Sequence, residues 1–186
     1  MKQHNRKKGK VKMKKIYILL MHTNTYPSKF VKFMTNYKYS HVALSLDDSC
    51  DTLYSFGRKK LNKVLDGGFS VENKDGEFFK KFNNANCKIY ELDVQEEQYA
   101  KLKDTIKNME NNKDNYKYDF IGTAFRFFNI PVTFKDKYVC SYFVASILEN
   151  NDIYKFNKNT CFMKPKDFEG LEGFNEIYSG KYCLYK

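Results

Sequence analysis

The chain has 186 residues, enough for one domain with a real core, and carries a formal net charge of +11. Eight of its 33 Lys and Arg residues lie within residues 1–15; the other 25 face 22 acidic residues, so a basic surface built for nucleic acid is not implied. The five cysteines are odd in number, widely spaced and free of any C-x-x-C pair. That excludes the usual zinc patterns, argues against a disulfide framework and favours a reducing, cytoplasmic compartment. No metal or cofactor motif is visible.

Residues 1–14 have no apolar period and are expected to form a disordered basic tail, able to touch anionic surfaces weakly and without specificity. The folded domain is expected over 15–186. The run Ile16-Tyr17-Ile18-Leu19-Leu20-Met21 is far short of the ~20 apolar residues of a membrane span. No A-x-A-like site follows it, so it reads as a buried strand, with a poor secretory signal as the alternative. Pro27 suits the opening turn of a helix, which Phe30, Phe33, Met34 and Tyr37 continue. Residues 40–46 alternate, with Val42, Leu44 and Leu46 on one side and His41, Ala43 and Ser45 on the other. Residues 52–56 read as the return strand of a hairpin, and 69–72 as a short strand. Residues 86–92 alternate again. Asp93 is then a helix cap with Glu96 at the third helical position, ahead of an amphipathic helix marked by Tyr99, Leu102, Ile106 and Met109 that ends near Asn111. A second helix is expected over 118–128. A third holds Cys140, Phe143, Val144, Ile147 and Leu148 on one stripe and stops near Asn150. Pro165 opens a short helix, and 175–178 and 182–185 are expected as closing strands. Hairpins and helices mixed without regular alternation give an α+β class.

Cys140 stands in the first turn of its helix. Unpaired backbone N–H groups and the positive end of the helix dipole gather there, and both favour a thiolate, so its pKa is expected to be lowered. Taken alone, a cysteine on an apolar stripe is more often a small buried hydrophobe. Cysteine catalysis also needs a base and something to orient it. Of three histidines, His4 lies in the tail, His22 ends the first strand and His41 begins the second.

Ser40-His41-Val42-Ala43-Leu44, then Leu53-Tyr54-Ser55-Phe56-Gly57, then Val139-Cys140-Ser141-Tyr142-Phe143-Val144 resemble, in that order, the permuted papain-like hydrolases of the NlpC-type superfamily, in its YiiX/YaeF-like branch. Cys140-x-x-Phe143-Val144 is also similar to the cysteine helix of the lecithin:retinol acyltransferase relatives. Thr23-x-Thr25, Ser28 and Lys164-Pro165-Lys166-Asp167 extend the likeness over about residues 15–186. The resemblance implies a permuted papain-like fold, a small antiparallel sheet against the nucleophile-bearing helix. It implies Cys140 as nucleophile and His41 as base, acting through a thioester.

Relatives place a polar residue, often His, Glu or Asn, on the strand after the histidine strand. Ser55 is the expected third catalytic residue here, with Tyr54 or a backbone carbonyl as alternatives. The Cys140 backbone N–H would hold the oxyanion. Tyr118, Tyr54 and Ser141 are candidates for further oxyanion or substrate contacts. The expected function is a thiol hydrolase or acyl transferase acting on an amide or ester, with a peptide or lipid acyl group as substrate. The alternative is a non-catalytic ligand-binding domain that keeps the fold, which the missing acidic or histidine orienter favours.

Overall fold

The computed structural model describes residues 12–22, 37–58, 67–76, 79–80 and 84–186. The expected helix after Pro27, and with it Thr23, Thr25 and Ser28, lies outside the described residues apart from Tyr37, which is not helical.

The apolar run at 16–21 is unbroken because its strand is covered on both faces. It lies in β1 (Met13–His22), inside an eight-stranded sheet. Ile16, Ile18 and Leu20 join one buried cluster; Tyr17, Leu19 and Met21 join another on the opposite face. The other strands are β2 (His41–Ser45), β3 (Thr52–Arg58), β4 (Gly67–Asn73), β5 (Asn86–Gln95), β6 (Lys117–Tyr118), β7 (Lys137–Tyr138) and β8 (Asn175–Lys181). Their order across the sheet is β7-β6-β4-β3-β2-β1-β5-β8, antiparallel throughout except for β6 with β7. The described residues thus form an α+β structure.

Three helices are described: α1 (Glu96–Asn111), α2 (Phe120–Phe127) and α3 (Cys140–Asn150). Leu102, Ile106 and Met109 of α1 and Phe143, Val144, Ile147 and Leu148 of α3 share a cluster with Val42, Leu44, Phe56 and Phe69. Both helices therefore cover the same face of the sheet. The Phe143 ring packs 5.1 Å from that of Phe56 and 5.8 Å from that of Phe69. Tyr99 Oη donates to the carbonyl of Leu46, and Lys101 pairs with Asp152 beyond the end of α3. These contacts set the far end of α3 beside the end of β2, so its first turn lies near the start of β2.

Several boundaries differ from the sequence reading. Met13 and Lys14 are not tail: they pair with Gln95 and Val94, and Lys12 pairs with Glu96. Asp93 is not a cap, because β5 keeps pairing with β1 as far as Gln95 and holds Asp93 opposite Lys15. Gln95 and Gln98 form the capping box instead. Tyr118 lies in β6 rather than in a helix. Asp119 breaks the run, accepting from the Gly122 N–H at 2.9 Å as the N-cap of α2. The closing hairpin is a single strand, β8, followed by a 3-10 turn at Tyr182–Leu184, because Ser179 and Gly180 stay paired with Lys88 and Cys87.

Candidate active site

Val139 is extended and Cys140 opens α3. The strand geometry comes from β7, whose Tyr138 pairs with Tyr118 of β6. This fixes the approach of the chain to the helix. Cys140 is 8 % exposed. Three backbone N–H groups favour its thiolate: those of Val42, Ser141 and Cys140 itself. Val42 follows His41 on β2, so the thiol lies near the strand that carries the histidine.

The expectation of a lowered thiol pKa is overturned. Burial outweighs the three N–H groups and pushes the Cys140 thiol above its ordinary value. At neutral pH it rests as a thiol. Burial also lowers His41, to about 4, so its imidazole rests neutral. The resting pair is thus thiol and imidazole, not thiolate and imidazolium. Among the described residues no hydrogen bond joins the two groups.

The surroundings of His41 explain part of this. A single backbone pair, Leu44 with Tyr54, links β2 to β3. Nearer His41 the link is a side chain: Ser55 Oγ donates to the carbonyl of Val42 at 2.6 Å. Ser55 is buried and holds the strand carrying His41, not the imidazole. A methyl on Gly57 would stand 3.9 Å from His41 Cε1, and 3.8 Å from both Ser70 Oγ and Glu72 Oε1. The imidazole therefore looks across Gly57 toward Ser70 and Glu72, on the face opposite Phe56 and Phe69. Burial raises the Glu72 carboxyl to about 7, against a hydrogen bond from Ser70 Oγ that lowers it. The sequence reading missed Glu72, because one acid on a short half-buried strand looks like a solvated face. The signal available was its parity with Ser70 on β4.

The remaining candidates are dispersed. Tyr118 pairs with Tyr138, two residues before Cys140, and burial raises its hydroxyl so that it stays protonated, a donor. It can approach because residue 67 is glycine: a Cβ there would lie 2.7 Å from Tyr118 Cβ. Ser141 is spent structurally, donating to the carbonyl of Met163 at 2.5 Å. That bond braces the segment where Asp167 caps Lys164 N–H at 2.8 Å, so the Lys164-Pro165-Lys166-Asp167 motif supports the start of α3. Tyr54 packs at the edge of the main core, away from the thiol.

His22 ends β1 on the same parity as Leu20, the face covered by α3, and its Nδ1 is buried with no hydrogen-bond partner among the described residues. Among the described residues no group of three or more His, Cys, Asp or Glu side chains could hold a metal ion. All five cysteines are free. No helix among the described residues is long and apolar enough to cross a membrane. No protein-family model and no curated protein matches the chain.

Proposed function

We propose that the chain is a cysteine-nucleophile hydrolase or acyl transferase acting on an amide or ester, built on a permuted papain-like fold. The observation that carries the proposal is the seat of Cys140: a buried thiol in the first turn of a helix, with backbone N–H groups that favour its thiolate, among them that of Val42, which follows His41 on β2. In this reading the His41 imidazole takes the thiol proton as sulfur attacks the acyl carbonyl. The N–H groups that would stabilise a thiolate also face the oxyanion that forms. The amine or alcohol leaves with the proton, and water or a second acceptor then takes the acyl group from sulfur. A neutral imidazole is the form able to accept that proton, and hydrogen bonds of this kind are often long before substrate binds. Glu72, across Gly57, is the group placed to orient the imidazole, in the role expected of Ser55.

One observation favours a second base. His22 presents an unpartnered buried nitrogen on the face that α3 covers. The discriminating experiment is acylation by 4-nitrophenyl butyrate, with a burst of nitrophenol and mass spectrometry of the peptides. The expected result is one acyl group on Cys140, none in Cys140→Ala, and a rate lowered about 10²-fold or more in His41→Ala with His22→Ala unchanged. The reverse pattern would transfer the base role to His22. Acylation confined to the exposed Cys183, or none at all, would leave the non-catalytic binding domain as the correct reading.

A further inference from the structure

α2 is turned inside out. Arg126, its one charged residue, points inward: Nη1 bonds Asp119 Oδ2 at 2.8 Å and the carbonyl of Val132 at 3.0 Å. Both side chains of the pair are almost wholly buried. Gly122 lies on the same inner side, where any Cβ would overlap the Asp119 carboxylate. The guanidinium also lies over the ring of Tyr142, next but one to Cys140. With Gly122 and Arg126 turned inward, helical spacing puts Phe120, Ile121, Ala124, Phe125, Phe127 and Phe128 on the outer side. Ile121 is 57 % exposed, Phe127 62 % and Phe128 71 %, and Ile130 and Phe134 continue the exposed surface beyond the helix. A surface helix ordinarily does the opposite, and a contiguous exposed apolar patch marks an interaction site.

The charge around this ridge selects its occupant. Residues 120–134 contain no acid. Lys135, Asp136 and Lys137 follow, two cations to one acid, and Lys137 lays its Nζ 5.3 Å from the Phe134 ring centroid, an aromatic body with a cationic tip at its margin. Lys117 is exposed on β6 beside the start of α2. An apolar stripe with cations at its rim complements an anionic bilayer surface, where the rings enter the acyl boundary and the lysines meet the headgroups.

We infer that α2 and the segment to Phe134 dock the protein on an anionic lipid surface. Tyr118, whose strand partner Tyr138 lies two residues before Cys140, stacks 4.7 Å from Phe120, so the docked face adjoins the candidate active site. The docking does not depend on the thiol chemistry.

The test is co-sedimentation with sucrose-loaded vesicles, either of phosphatidylcholine alone or of equal parts phosphatidylcholine and phosphatidylglycerol. The wild-type chain is expected to pellet with the mixed vesicles and more weakly with the neutral ones. The double variant Phe127→Ser/Phe128→Ser, at exposed positions and checked for an unchanged melt, is expected to lose at least about tenfold in partitioning. Lys135→Glu/Lys137→Glu should lose affinity for the mixed vesicles only. Three results overturn the inference. The wild type does not pellet; the double variant pellets as well as the wild type; or deletion of residues 1–11 abolishes binding that the double variant keeps, which assigns it to the tail. A wild type that stays in solution as an oligomer, dispersed by the double variant, would assign the ridge to a protein partner.

Discussion

Two helices leave the same two-stranded ribbon and are turned opposite ways. α2 begins two residues after Tyr118 and α3 two residues after Tyr138, and those tyrosines are paired in β6 and β7. Both helices are rich in apolar residues. Yet eight of the eleven residues of α3 are buried, and in α2 only Gly122 is. The difference teaches that apolar content makes a helix plausible without saying where it points. α3 has a sheet face to cover, Phe56 and Phe69 among its partners. α2 has an ion pair to keep from water, and sheltering Asp119 and Arg126 sends its phenylalanines outward.

Truncation should separate the two sharply. Phe143→Ala on α3 is expected to cost about 3–5 kcal/mol in denaturant unfolding, because it removes a ring packed among Phe56, Phe69 and Tyr138. On α2 the comparable loss comes from the polar side. Asp119→Ala leaves a buried guanidinium without its partner and removes the N-cap, for about 3–5 kcal/mol. If Asp119→Ala were neutral, the inward face of α2 would not be held by charge, and the comparison would break.

The strands β2 and β4 also carry a pH signature that the α2 ridge lacks. Burial lowers His41 from 6.5 to about 4, so the unfolded chain binds more protons there and this residue makes stability rise with pH between those values. Burial raises Glu72 from 4.5 to about 7, so the folded chain holds the proton longer and stability falls with pH over that range. The two trends oppose each other in the wild type. Relative to it, Glu72→Gln should gain stability from pH 4.5 to 7, and His41→Asn should lose stability from pH 4 to 6.5. Each is read as a melting-temperature difference on the order of a few degrees. Parallel profiles for all three proteins would mean that neither group is desolvated by the fold.

The smallest effect belongs to the ridge. Phe127→Ala should change unfolding stability by no more than about 0.5 kcal/mol, the ordinary range for exposed positions. A loss near that of Phe143→Ala would show that the outer face of α2 is packed within the chain.

What the sequence disclosed follows the same division. The stripe from Cys140 to Leu148 and the run at 16–21 could be read directly, since a period or an unbroken apolar stretch reports burial on one face or two. The direction of α2 was not legible from period alone; the clue was Asp119 seven residues before Arg126, with Gly122 on the same side. Ser55 is the third residue that the resemblance implies, a polar side chain on the strand after the histidine strand, but that position does not say where a hydroxyl donates, and the carbonyl of Val42 takes it. Glu72 belongs to the next strand over, and the register of β4 against β3 is a long-range fact that local spacing does not contain. The raised thiol pKa was missed for a similar reason. The helix start is local, whereas the burial that outweighs it depends on packing between elements far apart in the chain.

The ribbon of β6 and β7 has a consequence for how this surface can vary. Lys117 pairs with Lys137 and Tyr118 with Tyr138, so α2 and the segment after it leave and return at neighbouring points. The excursion is a closed loop, and its closure entropy grows only logarithmically with length: doubling it costs about 0.6 kcal/mol. Insertions, deletions and wholesale rewriting beyond the Asp119–Arg126 pair are therefore thermodynamically cheap. They need not disturb the strand that delivers Cys140 to its helix. The fold thereby separates an exchangeable cassette, which decides what the protein adheres to, from the frame that holds the thiol.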